Sequence, residues 1–263
     1  MDEVAVAEAS AFESMIASAN AGLTESSFSR VHYGDAHNDD DALLDAHAAT
    51  GKDQLTGTMF DRSAKDQISS LWFVVLTAFV TVHMLRINWY IMTVRTQVEY
   101  FTGDAALAET LTTLFTVVLP LGGVVGIPFV GWLLDSRPWL DVASTLLTFG
   151  LAFGLLGLTP SAALQIAGIA VFCLFRPLMY TAVSDAFARV FGFAHFGTVY
   201  GLAMSTSGVV GMVNAPLDVL VKGGLKGNFV PVDAGYVGLG VATGAVLVGM
   251  VWRATRGRAV QLE

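Results

Sequence analysis

Six apolar runs, each near the length that carries an α-helix across a bilayer, constrain this chain more than anything else. They are Ile68–Val94, Ala106–Val130, Val142–Leu158, Ala162–Val183, Phe196–Val221 and Val232–Trp252. Crossing ~30 Å of hydrocarbon takes roughly 20 predominantly apolar residues, so each run is a candidate span, the third being the shortest. Strands of a membrane barrel are about 10 residues long with alternating polarity, and these runs are too long and too evenly apolar for that. Pro138, Pro160 and Pro231 punctuate the connections, because the residue before a proline is pushed out of the helical region. The expected fold is an all-α membrane protein of six transmembrane helices.

Charge supports that expectation by its scarcity and its placement. Charged residues make up 14% of the chain, against ~25% in a typical soluble domain. Most of the acidic ones precede Gln67, including Asp39, Asp40 and Asp41, so nearly all of the net charge of −8 belongs to the first quarter. Residues 1–66 mix Ala, Ser, Asp, Glu and His with few large apolar groups and are expected to be a disordered acidic tail. Residues 67–253 form the bundle, and residues 254–263 a second, short tail. The acidic start, MDEVAVAEAS, lacks the basic region of a signal peptide. His32, His37 and His47 lack the glycine and spacing of a calcium loop and have no cysteine nearby, so no metal is expected there. Ser26, Ser27 and Ser29 are possible phosphorylation positions. The stretch from Ser63 to Asp66 has the pattern of a helix N-cap and is expected to start the first span. Cys173 is the sole cysteine, which excludes an intrachain disulfide.

Lysine and arginine set the orientation. With the tail in the cytoplasm, that side carries Arg62, Lys65, Arg137, Arg189, Arg253, Arg256 and Arg258, and the other only Arg95, Lys222 and Lys226. The positive-inside rule therefore expects both termini in the cytoplasm.

Ionisable groups at membrane depth are expensive and are functional candidates by default. Arg86 in the first span and Arg176 in the fourth qualify, and each is followed four residues later by a tyrosine on the same helical face, Tyr90 and Tyr180. The two motifs occupy equivalent places in the first and second groups of three spans, the pattern of two inverted three-helix repeats. His83, Arg86 and Tyr90 share one side of the first span, with Thr77, Thr81 and Asn88 opposite. Gln165, Arg176 and Tyr180 share a stripe in the fourth. Tyr200, Met204, Ser207, Gly211, Asn214 and Asp218 form the longest stripe, in the fifth. Two roles fit these polar groups: hydrogen bonding between packed helices, or lining a cavity.

Gly122/Gly126, Gly150/Gly154, Gly197/Gly201 and Gly240/Gly244 have the spacing that lets membrane helices approach closely. Pro120 and Pro128 fall within the second span, and Pro216 is expected to kink the fifth.

After the second span comes Gly131-Trp132-Leu133-Leu134-Asp135-Ser136-Arg137. This stretch resembles the loop signature of the major facilitator superfamily, in its copy between the eighth and ninth helices. Ser136 departs from it, standing where a basic residue is usual, and the second glycine is absent. The stretches LRINWYIMTVRTQVEYFTGD, LPLGGVVGIPFVGWLLD and FRPLMYTAVSDAFARVFGFAHFGTVYGL are similar to the carboxy-terminal half of solute carrier family 43. That family comprises sodium-independent facilitators of large neutral amino acids and fungal relatives. The resemblance covers nearly everything from Ile68 to Trp252, with the acidic tail in the place of the family's central linker. It implies half of a twelve-helix carrier, in which Asp135 lacks the contact that the other half supplies. It also implies a second six-helix half as partner, a homodimer mate or a separate chain.

The expectation is then a secondary transporter of a small organic solute, neutral amino acids by facilitated diffusion. Arg86, Asn88, Tyr90, Arg176, Tyr180, Ser207 and Asn214 are the candidates for its cavity or gates, Arg86 meeting a substrate carboxylate or an internal charge partner. Gly131, Asp135 and Arg137 form the conformational loop motif. Asp185 and Asp218 lie near span ends, which favours uniport over proton coupling. The alternative is a non-transporting sensor or interaction subunit, or a remnant. Enzymatic activity is not expected: Met204-Ser205-Thr206-Ser207-Gly208 is superficially like an intramembrane serine protease motif, but Ser205 replaces its first glycine and no base accompanies Ser207. No cofactor and no nucleic acid is implied; the partners are the lipid bilayer and the solute. The plasma membrane is the expected location, with vacuolar or mitochondrial membranes open.

Overall fold

The computed structural model describes Leu55, residues 57–60 and residues 62–259, and within them the chain is helical. His32, His37, His47, Ser26, Ser27 and Ser29 lie outside the described residues, as does most of the acidic tail. Six helices, one formed in two pieces, are long and apolar enough to cross a membrane. The protein is therefore an integral, multi-pass membrane protein.

A short helix α1 (Ala64–Ile68) precedes them. Ser63 caps it as its pattern suggests, accepting from the Asp66 N–H at 3.3 Å. The expectation that this cap starts the first span is corrected, because the helix stops at Ser69. Ser70 is the true N-cap of the first span, α2 (Leu71–Thr102), and accepts from the Phe73 N–H at 3.1 Å. At 1.5 Å per residue α2 is about 48 Å long, so it outruns the hydrocarbon. It extends two turns beyond Val94, because Gln97 and Val98 are also buried against the bundle. Gly103, at φ 69°, stops it in the left-handed conformation that glycine adopts without strain. Asp104 then caps α3 (Ala105–Ser136), accepting from the Ala106 and Leu107 N–H groups.

Helix α4 (Trp139–Gly157) is the shortest span, and α5 (Ala162–Phe191) runs through Pro177 without ending. The fifth span breaks into α6 (Phe196–Gly211) and α7 (Asn214–Lys222). Pro216 explains the break, since it lacks an N–H and its ring crowds the carbonyl of Met212. The Met212 and Val213 N–H groups instead bond three residues back, to Val209 and Val210. The last span is α8 (Val230–Ala259).

Helices α2 and α5 are the most enclosed spans, and α6–α7 the least. Helix α2 packs on α3, α5, α6 and α8, while α5 packs on α3, α4 and α6; α4 and α8 also pair. Tyr90 sits at the centre of the core among the rings of Phe115, Phe153 and Phe172, with centroids 4.9–5.8 Å away. Three of the four glycine pairs lie at helix contacts. Gly122 meets the Cys173 backbone, Gly126 meets Leu174 and Pro177, Gly150 meets His83 and Phe175, and Gly244 meets Leu147. Gly197 and Gly201 face open space.

Chain upstream of Gln67 also joins the bundle. Leu55 is buried, and Gly57 and Met59 donate backbone hydrogen bonds to Arg189 and Val190 at the end of α5. The buried Gln67 amide donates to the Met59 and Phe191 carbonyls at 2.9 Å, so the last carbonyls of α5 are satisfied by this strap.

Candidate functional site

Arg86 stands halfway along α2 and is only 5% exposed. Its guanidinium carbon lies 4.6 Å from the centre of the Phe153 ring, a cation–π contact with α4. Gly154 and Gly240 leave room for it, since a Cβ at either would meet the guanidinium. His83, one turn earlier, bonds the Phe79 carbonyl through Nδ1 at 2.9 Å and packs on Phe175.

Beyond Arg86 lies a small cavity, about 20 Å³ for the centre of a water-sized sphere, bounded by Arg86, Trp89, Tyr90, Gly154, Asp233 and Tyr236 among others. Asp233 comes from the first turn of α8. Its Oδ1 accepts from Trp89 Nε1 at 2.8 Å and from Gln97 Nε2 at 3.3 Å. Gln97 also donates to Thr93 Oγ1 at 2.8 Å. Trp89, Thr93 and Gln97, spaced by four, make one polar stripe of α2. Arg86 Nη2 and Asp233 Oδ2 are buried without a hydrogen-bond partner.

Arg176 stands halfway along α5, half-buried, with its guanidinium carbon 5.7 Å from the Tyr180 ring centre and Nε buried without a partner. It does not line the Arg86 cavity, so the two matching arginine–tyrosine motifs occupy separate surroundings. Asn88 is exposed, although Thr77 and Thr81 on its side of α2 are buried.

The long stripe of the fifth span packs. Ser207 and Thr81 hydroxyls bond at 2.8 Å, joining α6 to α2. Asn214, at the break, donates to the Leu85 carbonyl at 3.0 Å and accepts from the Tyr236 hydroxyl at 2.5 Å, tying α7 to α2 and α8. Gln165 donates to the Gly157 and Thr159 carbonyls and closes the α4–α5 connection.

At the other end of the bundle, Asp185 Oδ2 accepts from Arg189 Nε at 2.7 Å and from Trp139 Nε1 at 3.2 Å. Arg189 Nη2 also reaches the Leu134 carbonyl at 3.4 Å. Gly131 lies within the last turns of α3, where a Cβ would meet nothing. Asp135 is exposed and makes no hydrogen bond or ion pair among the described residues, while Arg137 lies 5.2 Å over the Trp132 ring.

Asp233, Trp89, Gln97 and Gly154 were missed as site residues by sequence reasoning. Asp233 is the second residue of the sixth apolar run, and an acid at a helix N-terminus is favourable there without any site. The findable signal was the four-residue spacing from Trp89 to Gln97, which runs past the apolar limit at Val94.

No family model matches the chain, and no solved structure matches it. Protein FMP42 of Saccharomyces cerevisiae (strain ATCC 204508 / S288c) is similar: 45% identical over 163 residues, which are 62% of this chain and 32% of that protein. The matched region thus spans less than two thirds of that relative's length, and the membrane-spanning helical bundle is what the fold establishes on its own.

Proposed function

We propose that this bundle is one half of a secondary transporter that moves a small organic solute, a neutral amino acid, by facilitated diffusion. The observation that carries the reading is the pair of arginines, Arg86 and Arg176, halfway along the two most enclosed spans. Charge at that depth is retained where it binds, gates or pairs, and carriers built from repeats hold their substrates near the midplane. Helix pairing supports two inverted repeats, α2–α4 and α5–α8. The α2–α6 contact has its counterpart in α5–α3, α2–α8 in α5–α4, and α2–α3 in α5–α6.

Arg176, Tyr180 and Asn88, less enclosed than Arg86, are the better cavity candidates. Ser207 serves packing rather than catalysis, since its hydroxyl is engaged by Thr81 and the Ala203 carbonyl. A second six-helix bundle, in the same polypeptide, a second copy or another chain, covers the open face of α6. Gly197, Gly201 and Gly208 there would let its helices approach closely. The end carrying Arg62, Lys65, Arg137, Arg189 and Arg253 faces the cytoplasm. The membrane is the plasma membrane, and a fluorescent fusion distinguishes it from an organelle.

The test is uptake of labelled leucine by vesicles holding the protein in its cross-linked native assembly. Saturable, sodium-independent uptake lowered by Arg176→Ala is expected. Uptake no greater than in protein-free vesicles overturns transport of this class, and a monomer bound to soluble partners instead favours a non-transporting subunit.

A further inference from the structure

We infer that the cavity between α2, α4 and α8 is a binding site for one resident water, bridging Arg86 Nη2 to Asp233 Oδ2. Through this water Arg86 acts as the internal counter-charge of Asp233 rather than as a ligand for transported solute.

Size limits the occupant first. At about 20 Å³ for the centre of a water-sized sphere, the cavity exceeds the ~10–15 Å³ that one water needs and is small beside a solute pocket of roughly 300 Å³ or more. Gly154 and Gly240 already abut the guanidinium, so a solute carboxylate has no approach from that side. Chemistry fits next. Arg86 and Asp233 both line the cavity, and each has one buried polar atom without a partner, a donor in Nη2 and an acceptor in Oδ2. Water is the small molecule that accepts from one and donates to the other, and buried waters take two to four such partners. The Tyr236 hydroxyl oxygen, whose proton goes to Asn214, remains able to accept as a third.

Electrostatics supplies the reason for the site. A guanidinium 95% removed from solvent and a carboxylate held by Trp89 and Gln97 are each costly alone within hydrocarbon. Set across one water, they cancel in net charge and tie the middle of α2 to the start of α8. Phe153 covers the remaining face of the guanidinium.

Radiolytic hydroxyl labelling of the whole protein in its native membrane assembly tests the water, because a bound water generates radicals in place and marks buried neighbours. Phe153 and Tyr236 should be labelled several-fold more than Phe187, which is also buried but does not line this cavity. Equal labelling overturns the site. The charge pairing is tested by melting temperatures of Arg86→Gln, Asp233→Asn and the double variant. Each single change leaves one charge uncompensated and should lower the melting temperature, whereas the double variant should regain much of the loss. Additive losses overturn the pairing. Neither readout involves uptake, so a failure here is distinguishable from a failure of transport.

Discussion

The bundle holds two charged clusters, one near the Arg62 end and one running from mid-span toward the opposite end, and they are built in opposite ways. Near the Arg62 end, Asp185 and Arg189 touch directly at 2.7 Å, one turn apart on one helix, with side chains still 23% and 14% exposed. Toward the other end, Arg86 and Asp233 come from different helices, make no direct hydrogen bond, and face the same small cavity. The ion pair of the first cluster needs only local helix geometry, since residues four apart are neighbours on a helix surface, and Trp139 of α4 and the Leu134 carbonyl of α3 then join it. The second needs α2, α4 and α8 to be packed already. A local pair near the interface stabilises its own helix, whereas a long-range pair within hydrocarbon specifies which helices adjoin.

The sharpest way to break this comparison is to fill the wall around Arg86. Gly154→Leu should collide with both the guanidinium and Val237 and destabilise the bundle by about 3 kcal/mol or more. Fluorescence-detected size exclusion in detergent should show loss of the monodisperse peak; a normal peak would mean that the wall yields. Asp185→Ala at the other cluster should cost less, about 2 kcal/mol, because partial exposure lets water take over part of its role for Arg189 and Trp139. Thermal melting at low and high salt checks it, and only this cluster should weaken as salt rises. A salt response as strong in the Asp233→Asn difference would erase the distinction.

Smaller effects sharpen the same contrast. Asn214→Ala removes two bonds at the break in the fifth span and should cost about 1–2 kcal/mol. Proteolysis should then cut first between Gly211 and Asn214. Ser207→Ala should cost about 0.6 kcal/mol, the usual worth of one hydroxyl contact between membrane helices. A double-mutant cycle with Thr81→Ala measures it, and a coupling near zero would show that packing alone joins α2 to α6.

The spans themselves could be read directly, because hydrocarbon imposes length and apolarity on each segment separately. Arg86 and Arg176 were equally plain, since a charge inside an apolar run stands out whatever its neighbours. The interruption at Pro216 could be read too, as the missing N–H and the ring act within one turn. Gly122, Gly126, Gly150, Gly154, Gly240 and Gly244 announced close approach, though their partners could not be named.

What the tertiary structure alone decided is pairing. That Asp233 belongs with Arg86, that Ser207 meets Thr81, and that Gln67 serves the end of α5 all depend on residues more than a hundred positions apart. Helical period tells which residues share a face, but which faces meet depends on how six helices fill space together. Polar groups in hydrocarbon gain their stability only from that meeting, so their roles were undetermined until the helices were assembled.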